Sequence, residues 1–135
     1  MVLKAPMASC GLSPFGVPLF CVNVALVKGE DILLGVTYDP VRGELFRTEK
    51  GQGAYLNASP IKVSKEGSLK ASMVSLDLGY SQQCGSEVLD VASKLWWHVH
   101  SLRIMGSGSL GLAYVACGRL GLYFHRYIFP WDIAS

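Results

Sequence analysis

Three short stretches of this chain carry residue types and spacings that could do chemistry. The first is Pro130-Trp131-Asp132-Ile133, where a proline suited to a helix's first turn puts Asp132 near that helix's positive end. The second is Gly106-Ser107-Gly108-Ser109-Leu110-Gly111, a literal G-x-G-x-x-G between an expected strand and an expected helix. Such a loop could seat a pyrophosphate on helix N-terminal amides, with Arg126 about twenty residues on as a reader of the ribose. A dinucleotide fold needs several further βα units after that loop, so glycines that let a helix start lie close on a sheet are the stronger reading. The third is Trp96-Trp97 with His98 and His100, which suggests stacking or metal capture. Neither histidine has an acidic or cysteine partner in the local sequence, and Trp96 reads as core on the apolar face of a helix with Trp97 partly exposed.

The elements that must position these residues follow from periodicity. Leu19–Val27 and Ile32–Tyr38 read as strands joined by the polar turn Lys28-Gly29-Glu30-Asp31. Asp39-Pro40-Val41-Arg42-Gly43 turns the chain into a short strand, Glu44–Thr48. Lys50–Gly53 turns it again, and Ala54–Asn57 and Ile61–Val63 complete an antiparallel meander. After the polar stretch Ser64–Lys70, Ser72–Leu78 reads as a strand. From Ser86, the residues Val88, Leu89, Ala92, Leu95 and Trp96 recur at helical spacing. Val99–Met105 returns to a strand, Ser107–Cys117 reads as a buried helix stopped by Gly118, and Leu120–Phe124 is a last strand. The class is α+β, a meander followed by a mixed sheet with helices, in layers.

Composition excludes more than it selects. The chain has 135 residues, enough for one core, with 50% hydrophobic and 16% charged residues, against about a quarter charged in an average domain. The apolar excess suggests an interface or part of a larger core, because no run reaches the roughly 18 residues of a membrane span. A net charge of +2 without a basic stripe argues against nucleic acid as a partner. Cys10, Cys21, Cys84 and Cys117 are far apart, as expected of reduced thiols in the cytoplasm, and Met1–Cys10 lacks a secretory apolar core.

Taken in order, Phe20–Val27, Leu34–Pro40, Gly43–Phe46, Gly51–Ser64, Arg103, Gly106–Gly108, Ala116–Leu120, Tyr123-Phe124 and Pro130-Trp131-Asp132 resemble the inositol monophosphatase family. The resemblance implies a layered α/β sandwich. Residues 1–70 would hold the meander, as the remainder of that fold's N-terminal half, and residues 71–135 a partial C-terminal αβα part. It implies magnesium-dependent hydrolysis of a small phosphorylated metabolite, in a homodimer. Magnesium there would neutralise the phosphate, lower the pKa of a bound water and stabilise the leaving alkoxide.

By that resemblance Asp132 is a metal ligand, and Gly106, Ser107 and Gly108 form the substrate-facing loop. His125 stands where inositol-specific members place a glutamate, and Gly121 where an acidic residue is common. The Asp-Pro-x-Asp-Gly-Thr motif falls on Ala5-Pro6-Met7-Ala8-Ser9-Cys10, so both aspartates are alanine. Ser9 and Cys10 would offer only backbone amides to a phosphate, and the family's upstream glutamate falls before Met1. One carboxylate with the Met7 carbonyl does not hold two or three hydrated cations, which need several anionic oxygens. The expectation is therefore a truncated or degenerate family member with impaired activity. A non-catalytic scaffold, an incomplete gene product and, more remotely, a dinucleotide-binding fragment are the alternatives.

Overall fold

The computed structural model describes residues 2–4 and 15–134. Six strands form an antiparallel sheet in chain order: β1 (Val2–Lys4), β2 (Val22–Lys28), β3 (Asp31–Asp39), β4 (Glu44–Glu49), β5 (Gly53–Leu56) and β6 (Ser59–Pro60). The β2–β3 hairpin closes at the pair Lys28 and Asp31, with Gly29 at φ 63° supplying the left-handed residue that its two-residue turn demands. A register shift between Leu26 and Val27 bulges this hairpin. The Asp39 turn is built on a fully buried carboxylate: Oδ1 accepts from the amides of Val41 and Arg42 at 3.0 and 3.1 Å, and Oδ2 from Arg42 Nη1 at 2.9 Å. Three donors make burial of that charge tolerable.

The expected strand Ile61–Val63 is not there. Pairing ends at Ser59–Pro60, and Ile61 adds one bond, from its amide to the Ala54 carbonyl at 3.0 Å. Asn57, at φ 55°, reverses the chain too early for a longer strand, and its side-chain oxygen accepts the Leu45 amide at 2.9 Å.

The second sheet has β7 (Met73–Asp77) between β8 (Ser101–Ile104) and β9 (Leu122–His125). All three strands run parallel among the described residues, where a mixed sheet was expected. Helix α1 (Gln82–Leu95) joins β7 to β8 and α2 (Gly108–Ala116) joins β8 to β9, as parallel strands require. Helix α1 begins four residues before the Ser86 predicted from periodicity, because the Ser81 hydroxyl accepts the Cys84 amide at 3.1 Å and caps it. Its apolar stripe is only partly covered: Gly85 and Val88 are buried, whereas Leu89 and Val91 are exposed. Trp96, expected in the core, is 52% exposed and Trp97 79%, because the helix gives way there to a 3-10 turn, Trp96–His98.

Helix α2 is the element that brings the two sheets together. Leu110 is fully buried, and Val74, Leu76, Val88 and Leu120 complete the core beside it. Gly111 lets the helix sit on the Tyr123 ring of β9, since a methyl there would fall 2.4 Å from two ring carbons. Gly118, at φ 78°, ends α2 as expected. Just beyond it Arg119 donates through both terminal nitrogens to Glu44 of β4, at 2.6 and 2.5 Å, and lies 5.0 Å over the Tyr114 ring. The last element is the short helix α3 (Pro130–Ile133), with proline in its first turn. No helix among the described residues is long and apolar enough to cross a membrane.

Candidate functional site

Parallel strands in the second sheet all deliver their C-terminal ends to one edge, which is where open parallel sheets bind ligands. Asp77 ends β7, His125 ends β9, and the Gly106-Ser107-Gly108 loop follows β8. Asp77 and His125 are directly paired across the sheet. Gly79, just after β7, comes so close to His125 that a methyl on it would lie 3.8 Å from the imidazole Cε1. The sequence-predicted residues Gly106, Ser107, Gly108, His125 and Asp132 are therefore gathered from three separate segments around this edge.

Each is held by its own contacts. The Gly106 amide donates to Asp77 Oδ1, and Tyr123 Oη donates to Asp77 Oδ2 at 2.7 Å. Ser107 is buried, its hydroxyl 3.9 Å from Sγ of Cys21, the residue just before β2. Ser109 Oγ receives a short hydrogen bond from Asn23 Nδ2 and donates to the Asp132 carbonyl oxygen at 3.0 Å. A polar line thus runs from β2 through the start of α2 to the first turn of α3. The His125 Nδ1 accepts the Tyr127 amide at 3.1 Å, which leaves Nε2 as the imidazole atom without a described partner in the protein.

Asp132 is half-buried, and burial raises its pKa above the usual carboxylate value, while the Phe129 amide and the nearby His125 pull it the other way. Burial likewise drives the Tyr123 phenol far above its ordinary value, with Asp77 adding to the effect. Cys21 is pushed up to about 11, first by burial, so it is a protonated core thiol and not a nucleophile. Alongside Asp132 a groove of about 370 Å³ opens between the first sheet and α2, with Gly35, Thr37, Phe46, Leu112 and Ala116 in its walls.

Whether these residues fit a cation cluster can be tested directly. No group of three or more His, Cys, Asp or Glu side chains converges at a metal-holding distance among the described residues. Both oxygens of Asp77 face donors of the fold. The described residues do not fit a multi-magnesium site. Ala5, Met7, Ala8, Ser9 and Cys10 lie outside the described residues.

The other expectations resolve on geometry. Arg126 is ion-paired with Glu87 of α1, and its guanidinium lies 5.5 Å over the Tyr127 ring, so it is not poised to read a ribose. Gly108 and Gly111 are crowded by Ile128 and Tyr123, which makes these glycines packing residues of α2. His98 and His100 precede β8, on the opposite edge of the sheet from the Gly106 loop. Gly121 sits where a methyl would fall 2.6 Å from Ser72 Oγ, so an acidic side chain has no room there. Asp77, Asn23 and Ser109 were not singled out from sequence. The one acid in the expected strand Ser72–Leu78 was the available signal for Asp77.

A six-stranded antiparallel meander joined through one buried helix to a parallel sheet, with a glycine loop, an imidazole and a carboxylate at its C-terminal edge, defines a layered α+β domain. The profile of the inositol monophosphatase family matches residues 15–135. Inositol monophosphatase 1 of Solanum lycopersicum is 40% identical over 125 residues, 89% of this chain and 45% of that protein. The Nus factor SuhB of Xylella fastidiosa is 38% identical over 123 residues, 89% of this chain and 44% of that one. Among solved structures, an inositol monophosphatase from Anabaena (Nostoc) superimposes with a TM-score of 0.85 at 35% identity, covering 91% of this chain and 49% of that chain. This chain belongs to the inositol monophosphatase family. It spans about half the length of the curated relatives it matches.

Proposed function

We propose that this chain carries the alcohol-recognising side of a phosphomonoesterase site of its family, and that alone it lacks the magnesium cluster that hydrolysis requires. The observation that carries this is the grouping of Gly106–Gly108, His125 and Asp132 at one sheet edge, where the described residues include no cluster of three side chains that could hold a metal ion. The printed names of its relatives, such as the inositol-1-monophosphatase of Caulobacter vibrioides, support a small phosphate monoester as the ligand class. His125 donates or accepts through one ring nitrogen, whereas a carboxylate would accept from two neighbouring hydroxyls, so discrimination among polyols is weaker here. The reading keeps the homodimer that the resemblance implies and the cytoplasmic location that reduced thiols suggest.

The test is phosphate release from inositol 1-phosphate and from p-nitrophenyl phosphate with and without magnesium. The expected result is no magnesium-stimulated rate and no manganese binding. A stimulated rate that Asp132→Asn abolishes would overturn the proposal. The exposed Leu89, Val91, Trp96 and Trp97 around α1 favour a second reading, a non-catalytic scaffold that docks a partner. Sedimentation of the parent against Trp97→Ser, with a drop in assembly size, would support it.

A further inference from the structure

We infer that Asp77 and Tyr123 are positioning residues that set the height and orientation of the Gly106-Ser107-Gly108 loop. The inference rests on the proposed reading of that loop as the substrate-facing one. Asp77 is only 6% exposed at the end of β7, a buried position where packing alone gives no reason for an acid. A buried carboxylate is tolerated when its oxygens meet donors, and here each oxygen has one: the Gly106 amide on Oδ1 and the Tyr123 hydroxyl on Oδ2.

Tyr123 is itself immobilised. Its ring lies against Gly111 with no room for a methyl between them, and its hydroxyl lies near Gly108. Helix α2, the Tyr123 ring, the Asp77 carboxylate and the Gly106 amide therefore form a closed circuit around the loop's first residue. One consequence is that the Gly106 amide is committed to the protein. Gly106 can stay glycine for its φ of 75°, while helix geometry leaves the first amides of α2, beginning with Gly108, without intrahelical partners.

The roles of Asp77 as metal ligand or general base do not fit this geometry, because both of its oxygens are turned to the loop and to the tyrosine. Charge is not what the circuit needs. An asparagine has an oxygen to accept the Gly106 amide and an NH2 group to donate to the Tyr123 oxygen, so it preserves both links.

The experiment uses the whole chain, labelled with 15N. Amide hydrogen exchange at Gly106 reads loop position, and the Gly106–Gly108 amide shifts during titration with inositol 1-phosphate read binding. Asp77→Ala should speed Gly106 exchange and weaken probe binding by about tenfold each, the effect of one lost hydrogen bond. Asp77→Asn should restore both. Tyr123→Phe, which keeps the ring on Gly111 and removes only the hydroxyl, should give a smaller change in the same direction, and it decides the matter if Asp77→Ala does not fold. Unchanged Gly106 exchange in Asp77→Ala and Tyr123→Phe, or equal damage from Asn and Ala at position 77, would overturn the inference. If the parent shows no shift with the probe, the substrate reading of the loop fails, while Gly106 exchange still decides the positioning.

Discussion

Replacing Gly111 by alanine sets two opposing effects against each other, and the structure decides which wins. In a free helix the change stabilises by about 1 kcal/mol, because glycine is the poorer helix former. In this helix the new Cβ would fall 2.4 Å from Cδ2 and Cε2 of Tyr123 and 3.0 Å from Cγ. The ring would have to withdraw by about 1 Å to reach the 3.4 Å of ordinary contact. It is not free to do so, since its hydroxyl is tied to Asp77 at 2.7 Å. Overpacking costs about 1–3 kcal/mol, and loosening a hydrogen bond on a buried carboxylate costs about 1–3 more. Set against the helix gain of about 1 kcal/mol, the expected net result is a loss of about 1–5 kcal/mol. In urea unfolding, with a slope of about 1–3 kcal/mol per molar, the midpoint should drop by about 1.5 M at the middle of these ranges. In a Tyr123→Phe background, where the ring has no tether, the same substitution should cost measurably less. A Gly111→Ala protein as stable as the parent, or more so, would refute the claim that the tethered ring of Tyr123 occupies that space.

Two further outcomes follow from charge and burial. Arg119 holds Glu44 below its ordinary carboxylate value, chiefly through their paired hydrogen bonds. That stability is present above about pH 4.5 and is lost as pH falls through the depressed folded value, so the parent should lose stability more steeply than Glu44→Gln between about pH 5 and 3. Arg119 is 40% exposed, which keeps the difference under about 1 kcal/mol, read from urea midpoints across that range. Cys21, 2% exposed and pushed up to about 11 by burial, should have only about a thousandth of its thiol ionised near pH 8. Peptide mass spectrometry after limited alkylation should find Cys84 and Cys117 modified before Cys21, and early labelling of Cys21 in native protein would contradict its placement.

The elements whose signal is local were legible in the chain. The hairpin turn at Lys28–Asp31, the Asp39–Gly43 turn, the glycine that ends α2 and the proline that opens α3 each depend on backbone preferences within a few residues. Where the sequence reading missed, a distant group or a competing local bond had decided the outcome. Apolar periodicity alone starts α1 at Ser86, whereas the Ser81 cap adds a turn that periodicity does not register. Trp96 fits the apolar stripe of α1, yet the stripe outruns the surface available to cover it. Ile61–Val63 has strand-like composition, but Asn57 has already turned the chain.

The candidate site divides in the same way. Motif order alone was enough to name Gly106, Ser107, Gly108, His125 and Asp132 as candidates, and the resemblance would place alanine, which cannot ligate a cation, at positions 5 and 8 where the family has aspartates. What no spacing rule could supply is that Asp77, 29 residues before Gly106, holds that residue's amide, or that Asn23 reaches the α3 turn through Ser109. Those contacts exist because parallel strands bring their C-terminal ends to one edge and because α2 is narrow enough, at Gly111, to lie between the sheets. Local backbone chemistry can be read along the chain; a hydrogen bond between distant segments is set only by how the layers pack.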